Sequence, residues 1–597
     1  MPFVAPRTET STTALDIGAR PARAGLAGEA MGRAGSPEAL AQLTAAMAEL
    51  KALEVQPLLR RAVTAIETED WKDADNWVQK ALQRDECCGF AWYLMGIVRE
   101  RMGDFANSLR SYEAALALIP EHSEVANDLG RLAYRLDMKP QAEKLFRHFL
   151  ARHPDNLEGV NNLACAIRDQ MRFEEATELL RPAIMGAPTA PHLWNTMGTI
   201  SAEQGDFSNA EIFFREALRL DDAFYKSRYN LGNALLALGD PAGALEACEG
   251  ALTQVTSVGE EMMMRLARST IFMTLGRIGE GWDEYEARLN PEFADTTHFM
   301  FDRPRWTPGA ELAGKSLLVV AEQGLGDEIL FSNLLPDVIE RMGPQGHLTL
   351  VVEPRLVPLF QRTYPAARVA AHATYDVAGK SIRLAPTLGD NIGDIDLWTP
   401  MGSLLREFRR TAEAFPDRPR FLTPDPERVA HWRKVLESAP AGPKVGLLWK
   451  SASDKGARHR FFSPFGQWED VLRTPGVTFV NLQYGDCSEE LAQAERDFGV
   501  KIWNPPGIDL KQDIDDVAAL CGAMDLVIGF ANATLNIAGA SGIPTWLIVS
   551  PAAWPVLGQD RYLWYPQSRM FTAKTFGDWA PVMTSVAAAL GDHLKSR

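Results

Sequence analysis

The apolar and small positions of residues 55–258 recur at one interval. Ala62, Gly96, Gly130, Ala164, Gly198 and Gly232 are 34 residues apart, and Ala74, Ser108, Ala142, Ala176, Ala210 and Ala244 repeat that interval 12 residues later. Val78, Tyr112, Phe146, Leu180, Phe214 and Cys248 hold a packing position in the same register. Two helices approach closely only where the facing side chains are small, so the pattern predicts one helical hairpin per unit. Pro120, Pro154 and Pro188 would stop the second helix. Units fall at 55–88, 89–122, 123–156, 157–190, 191–224 and 225–258. Residues 259–292 read as an atypical seventh unit, with Met262, Met263 and Met264 in a row and the turn at Leu275, Gly276 and Arg277 arriving three residues late.

Beyond Pro291, Pro304 and Pro308 the period changes. Short apolar runs at 316–320, 348–352, 445–449, 477–482, 525–528 and 545–549 alternate with helical stretches. That is the pattern of parallel strands covered on both faces. The spacing predicts two sheets, at 315–424 and 441–580, with Pro424, Pro426 and Pro443 between them. A ligand would bind at the carboxyl ends of the strands.

Composition narrows the function classes. The 61 basic and 78 acidic residues leave a net charge of −17, which argues against nucleic acid or an anionic membrane as the main partner. No apolar run reaches the roughly 18 residues of a membrane helix, and no signal core opens the chain. The expectation is a cytoplasmic protein without membrane insertion. Residues 1–36, rich in Ala, Gly, Thr, Pro and Arg without period, are expected to be a disordered tail. The six cysteines and ten histidines show no metal-ligand spacing, so no metal site is expected. No GxSxG elbow or Walker loop is present. The 34-residue units resemble the tetratricopeptide repeat (TPR), which implies a superhelix with a concave protein-binding surface, assigned to 37–292.

Candidate chemistry gathers at the strand ends. The segment 321–336, AEQGLGDEILFSNLLP, follows the run 316–320 and reads as strand, glycine turn and helix. Gly324 and Gly326 are expected to give the turn a backbone that other residues resist. Asp327, in the first helical turn, is either a cap or a base presented to a substrate; on the motif alone the cap is favoured. In VGLLWKS (445–451), Lys450 leaves a strand end where it can neutralise a phosphate, or is simply an exposed lysine. The loop 451–460, SASDKGARHR, adds Lys455, Arg458, His459 and Arg460 and points to anion binding. In DLVIGFANATLNIAGASGIP (525–544), Asn532, Thr534 and Asn536 cluster where a helix begins, either converging on a phosphate or capping the helix. Gln483 and Tyr484, and also Asp513, Asp515 and Asp516, can face the same cleft. Trp546, Trp554, Tyr562, Trp564 and Tyr565 read as core or cleft wall.

The region 281–590 resembles bacterial GT-B glycosyltransferases fused to tetratricopeptide repeats, related to heptosyltransferases and more distantly to the O-GlcNAc transferase class. The resemblance rests on GWDEYEARL (281–289), the 321–336 turn, DLWTPMGSLLREF (396–408), VGLLWKS, DLVIGFANATLNIAGASGIPTWLIV (525–549), LWYPQSRMF (563–571) and GDWAPV (577–582). Within that group the layout is most similar to flagellin glycosyltransferases that use a nonulosonic, pseudaminic-acid-like sugar. The implied architecture is an all-α TPR superhelix followed by an α/β GT-B pair of Rossmann-like domains. A linker at 293–314 would lead to an acceptor-side domain at 315–424 and a donor-side domain at 425–597 that ends in a helix. The implied reaction is metal-independent, inverting transfer of a CMP-linked sugar to Ser or Thr of flagellin held by the repeats, with no cofactor beyond the nucleotide-sugar substrate. Asp327 would be the catalytic base and Gln323, Gly324 and Gly326 the acceptor-side turn. Lys450, Ser451, Arg458, Gln483, Tyr484, Asn532, Thr534 and Asn536 would bind the donor. The sequence departs from the family at Asn536, where many relatives carry histidine, and at 554–557, where a run like DWRW is usual. These departures disfavour a UDP or ADP donor and are compatible with CMP, which has one phosphate. They also motivate a different class of function, a TPR adaptor with lapsed catalysis that recruits flagellin or another secreted subunit. A glycan acceptor is a third reading.

Overall fold

The computed structural model describes residues 37–377, 379–389, 392–450 and 461–596. The expected tail 1–36 and the candidate donor-site residues Ser451 and Arg458 lie outside the described residues. Packing divides the chain into two compact units, one ending at Ile200 and one beginning at Ser201.

The first unit opens with the long helix Pro37–Glu67, followed by the hairpin helices Trp71–Arg84, Gly89–Arg101, Phe105–Leu118, Ser123–Arg135, Lys139–Leu150, Leu157–Arg168 and Phe173–Gly186. The 34-residue period has a direct steric cause. A Cβ on Gly96 would lie 2.6 Å from the ring of Tyr112, and one on Gly130 would lie 2.7 Å from that of Phe146. The alanine and serine series at 74, 108, 142 and 176 is fully buried, as is the packing series that follows it. A second periodic device is a helix cap. Asp70 and Asp104 each accept the backbone N–H three residues on, an arrangement worth about 1 kcal/mol per helix. Pro120, Pro154 and Pro188 follow the helices ending at Leu118, Leu150 and Gly186.

The second unit continues with helices Phe207–Leu220, Tyr225–Ala237, Pro241–Leu252, Val258–Thr274 and Ile278–Tyr285, with Asp206 and Asp240 repeating the cap. Twelve strands follow among the described residues: β1 Thr297–Phe299, β2 Ser316–Val320, β3 His347–Val352, β4 Arg368–Ala371, β5 Ala373–Val377, β6 Lys380–Leu384, β7 Leu397–Pro400, β8 Lys444–Leu448, β9 Thr478–Asn481, β10 Leu526–Phe530, β11 Thr545–Val549 and β12 Ser568–Thr572. They form a parallel sheet in the order β4-β3-β2-β7, a second parallel sheet in the order β12-β11-β10-β8-β9, and a small mixed sheet in the order β1-β6-β5. The two parallel sheets are α/β in character. Their central strands β2 and β10 are buried along their whole length, as unbroken apolar runs require.

The small sheet departs from the two expected. Its β5–β6 hairpin is antiparallel, and β5 is exposed along most of its length. Gly379 follows β5 with φ of 74°, and its N–H donates to Asp376 Oδ1 at 3.0 Å. A solvated hairpin this short leaves little apolar pattern to read. The stretch expected to be a linker, 293–314, is largely exposed and is anchored at the buried Phe293, Thr296, Trp306 and Leu312. It supplies β1, and the buried Trp306 donates its backbone N–H to the Trp398 carbonyl at 2.8 Å. The helix Ala580–Lys595 closes one face of the second parallel sheet, with Val582, Met583, Val586 and Leu590 in its core. No helix among the described residues is long and apolar enough to cross a membrane.

The helical hairpins of this unit pack on its sheets. Phe576 meets Phe207 edge to face with ring centroids 4.9 Å apart, and meets Phe461 in the same way at 5.1 Å. Trp282, fully buried, donates its indole N–H to the Arg409 carbonyl at 2.9 Å. Trp282 is a packing residue.

Candidate functional site

The helix Leu325–Phe331 begins directly after β2, at the carboxyl end of the first parallel sheet. The turn between them corrects the expectation for its glycines. Gly324 has an extended backbone, φ −103°, and the positive φ of 65° belongs to Gln323. A non-glycine residue in that region stores about 1–3 kcal/mol of strain. Gly326 matters for proximity: a Cβ there would lie 3.3 Å from Asn536 Nδ2 and 3.5 Å from the Ala533 nitrogen. The two helices that start at the carboxyl ends of β2 and β10 cross at this point.

Asp327 is half-buried, and its Oδ2 accepts the Gly324 N–H at 3.3 Å. It therefore does cap its helix, yet the group also lines the cleft. Burial pushes its pKa up to about 6, the Gly324 N–H opposes this, and the carboxylates of Glu328 and Glu322 add to the rise. Both neighbours are held in place. Glu322 takes two hydrogen bonds from the buried Arg288, at 2.7 and 2.9 Å, and one from the Gly402 N–H at 2.8 Å. Glu328 lies 2.9 Å from His372 Nε2 and accepts the Glu353 N–H at 2.8 Å. A carboxyl of raised pKa in the first turn of a helix that follows a strand is suited to taking a proton from a hydroxyl.

Across the cleft, the helix Ala533–Ala540 starts after β10 with Asn532 as its cap, whose Oδ1 accepts the Leu535 N–H at 2.9 Å. Asn536 donates its Nδ2 hydrogen to the Gly326 carbonyl at 3.0 Å, joining the two walls. Asn532 Nδ2 and Asn536 Oδ1 are buried without a hydrogen-bond partner. Groups of this kind cost about 1–3 kcal/mol each if they stay unsatisfied. They are capacity available to a bound molecule.

The cleft measures about 580 Å³, and among its walls are Asp327, Arg355, Tyr484, Lys511, Thr534 and Tyr562. Asn532 and Asn536 line it as well. Several sequence candidates are placed otherwise. The Lys450 ammonium is paired with Glu490, and Lys450 does not line the cleft. Gln483 is fully buried and occupied. Its Oε1 accepts the N–H groups of Trp449 at 3.0 Å and Lys450 at 2.9 Å, and its Nε2 donates to the Tyr484 carbonyl at 3.0 Å, so it clamps the ends of β8 and β9. Gln323 is exposed beside the turn. Asp513 accepts the Asp509 N–H, Asp515 pairs with Arg362 and Asp516 with Arg428, which gives all three structural work. Trp554 and Tyr562 form cleft wall, whereas Trp564 and Tyr565 are core. Sequence reasoning missed Arg355, Lys511, Phe461 and Phe462. Arg355 had a usable signal, since it lies three residues past β3 as Asp327 lies just past β2. Lys511 sits in an irregular loop with no local pattern.

The tetratricopeptide repeat family matches residues 93–156 and 195–258. Protein FlbA of Caulobacter vibrioides is 48% identical over 591 residues, covering 98% of this chain and 99% of its own. A TPR repeat-containing protein of Pseudomonas aeruginosa is 30% identical over 23% of this chain and 24% of its own. Among solved structures, a thermophilic TPR protein of Thermus thermophilus is similar over 31% of this chain and 100% of its own, at 23% identity and a TM-score of 0.28.

Proposed function

The chain belongs to the family of Protein FlbA, and from that premise we propose that it is a GT-B protein O-glycosyltransferase acting in the cytoplasm. On this reading it transfers a CMP-linked, pseudaminic-acid-type sugar to Ser or Thr hydroxyls of flagellin, and the repeats hold the acceptor. The observation that carries the proposal is Asp327, a half-buried carboxyl of raised pKa that faces a helix N-terminus across a cleft between two parallel sheets.

In the proposed step the acceptor hydroxyl gives its proton to Asp327 while its oxygen bonds to the anomeric carbon. The bond from that carbon to the nucleotide phosphate breaks on the opposite face, which inverts the configuration. The departing phosphate is stabilised by the N–H groups that open the helix Ala533–Ala540 and by the Thr534 side chain. The buried carbonyl oxygen of Asn536 is free to accept a hydrogen bond from the donor. The test is the intact mass of flagellin from cells carrying the wild type or Asp327→Asn. A sugar-sized mass present with the wild type and absent with the variant supports the reading, and flagellin of equal mass in both sinks it.

Two observations favour the second reading, a TPR adaptor with lapsed catalysis. Lys450 is occupied by Glu490, and Asn536 bonds the two walls of the cleft together. The adaptor predicts no change in flagellin mass on removing the gene, together with loss of flagellin binding.

A further inference from the structure

Among the described residues three charged side chains line the cleft, the acid Asp327 and the bases Arg355 and Lys511. The two bases come from opposite walls. Arg355 lies in the tight turn Pro354–Leu356 after β3, and Lys511 lies in the loop ahead of the helix Ile514–Cys521. Their meeting is fixed, because Arg355 Nη1 donates to the Lys511 carbonyl at 2.6 Å. Glu353 holds the other edge of the arginine, accepting its Nε hydrogen at 2.7 Å and its backbone N–H at 2.7 Å. Arg355 Nη2 and the Lys511 ammonium then have no acceptor among the described residues.

The acidic groups near Lys511 hold backbone N–H groups or another cation, and none is paired with its ammonium among the described residues. Asp509 accepts the backbone N–H groups of Lys511 at 2.8 Å and Gln512 at 3.1 Å, Asp513 accepts that of Asp509, and Asp515 pairs with Arg362. Lys450, which the sequence offered as the phosphate contact, is neutralised by Glu490. Glu353 pairs with the Nε edge of Arg355, so what the two bases still offer the cleft is the other edge of the guanidinium and the Lys511 ammonium, in a chain whose net charge is otherwise −17.

We propose that Arg355 and Lys511 form the seat for an anionic group of the cleft's ligand, a phosphate or a carboxylate. The proposal rests on the reading of the cleft as a nucleotide-sugar site. The free edge of the guanidinium supplies a directed donor and the ammonium a mobile point charge. Because the seat draws on both walls, it recognises the ligand's charge only while the walls are together.

The test is calorimetric titration of the full chain with two matched pairs, CMP against cytidine and N-acetylneuraminic acid against its methyl ester. Wild type is expected to bind the acid of at least one pair about tenfold more tightly than its uncharged counterpart, the size of one charge-assisted contact. Lys511→Ala is expected to abolish that preference without altering the melting temperature, and Arg355→Lys to weaken it while keeping the charge. A preference in the CMP pair assigns the seat to phosphate, and one in the sugar pair assigns it to carboxylate. Equal binding of acid and neutral probes by the wild type overturns the seat, as does a preference that survives both substitutions. The transferase reading fails separately: flagellin of unchanged mass with the wild type sinks that reading even where the acid preference holds.

Discussion

The two walls of the cleft are built by opposite means. The wall that carries Asp327 rests on buried charge, with Glu322 locked to Arg288 and Glu328 set against His372. The facing wall rests on close packing. A Cβ on Gly539 would lie 2.4 Å from the Tyr565 ring, and the polar groups at Asn532 and Asn536 are left partly unpaired. The first design fixes one carboxyl in place and raises its pKa. The second fixes a backbone and leaves hydrogen-bonding capacity for something else. A two-substrate reaction needs both, a base that does not move and a surface that is completed by its ligand.

The contrast is broken most strongly at Asp327. Asp327→Asn is expected to lower transfer about 10²–10⁴-fold while making the protein more stable. The carboxyl's pKa of about 6 in the fold lies above its ordinary 3.8. The fold therefore holds the protonated form more tightly, and stability is lost as pH rises from about 4 through 6. The neutral amide avoids that loss, so urea unfolding at pH 7.5 should show a gain of about 1–2 kcal/mol, discounted for the group's partial exposure, that vanishes below pH 4. Wild-type transfer should rise with pH through an inflection near 6.

Next in size is Arg288→Leu, which leaves Glu322 buried without its partner. It should cost about 3–5 kcal/mol in the same measurement, and Arg288→Leu with Glu322→Leu should recover most of that cost. On the packed wall, Asn536→Ala removes the bond to Gly326 and an unpaired oxygen together, so its net cost should be about 1 kcal/mol. A loss as large as that of Arg288→Leu would show that the second wall also depends on buried polar groups. The smallest effect belongs to Lys450→Ala. Its pair with Glu490 is partly exposed, and stability should change by less than about 1 kcal/mol. Transfer should be unaffected, and a tenfold fall would return Lys450 to the donor site.

The sequence was most legible where one constraint repeats. Gly96 against Tyr112 and Gly130 against Phe146 impose the same steric demand every 34 residues, and the hairpins follow from it. The central strands β2, β3, β8, β10 and β11 were equally plain, because burial on both faces leaves an unbroken apolar run. Their neighbours β4, β7 and β12 are partly exposed, so no unbroken apolar run marks them. At the site, Asp327, Tyr484, Asn532, Thr534 and Asn536 were found because each sits just past a strand that the sequence reveals. Lys450 and Gln483 share that position and still turn away from the cleft, because Glu490 and two backbone N–H groups claim them. Which residue past a strand faces the ligand is decided by such contacts, and they come from parts of the chain 33 to 40 residues distant.

The edge-to-face run of Phe207, Phe576 and Phe461 sets a limit on modular exchange. Phe461 lines the cleft, so the helix that starts at Phe207 supports one cleft residue through the Phe576 ring. A hybrid that takes foreign repeats up to residue 200 keeps this aromatic brace intact. One joined at residue 292 would discard it along with Trp282 and Arg288, and would have to evolve a new fit. The earlier repeats can therefore be exchanged without touching these contacts, and the later ones cannot.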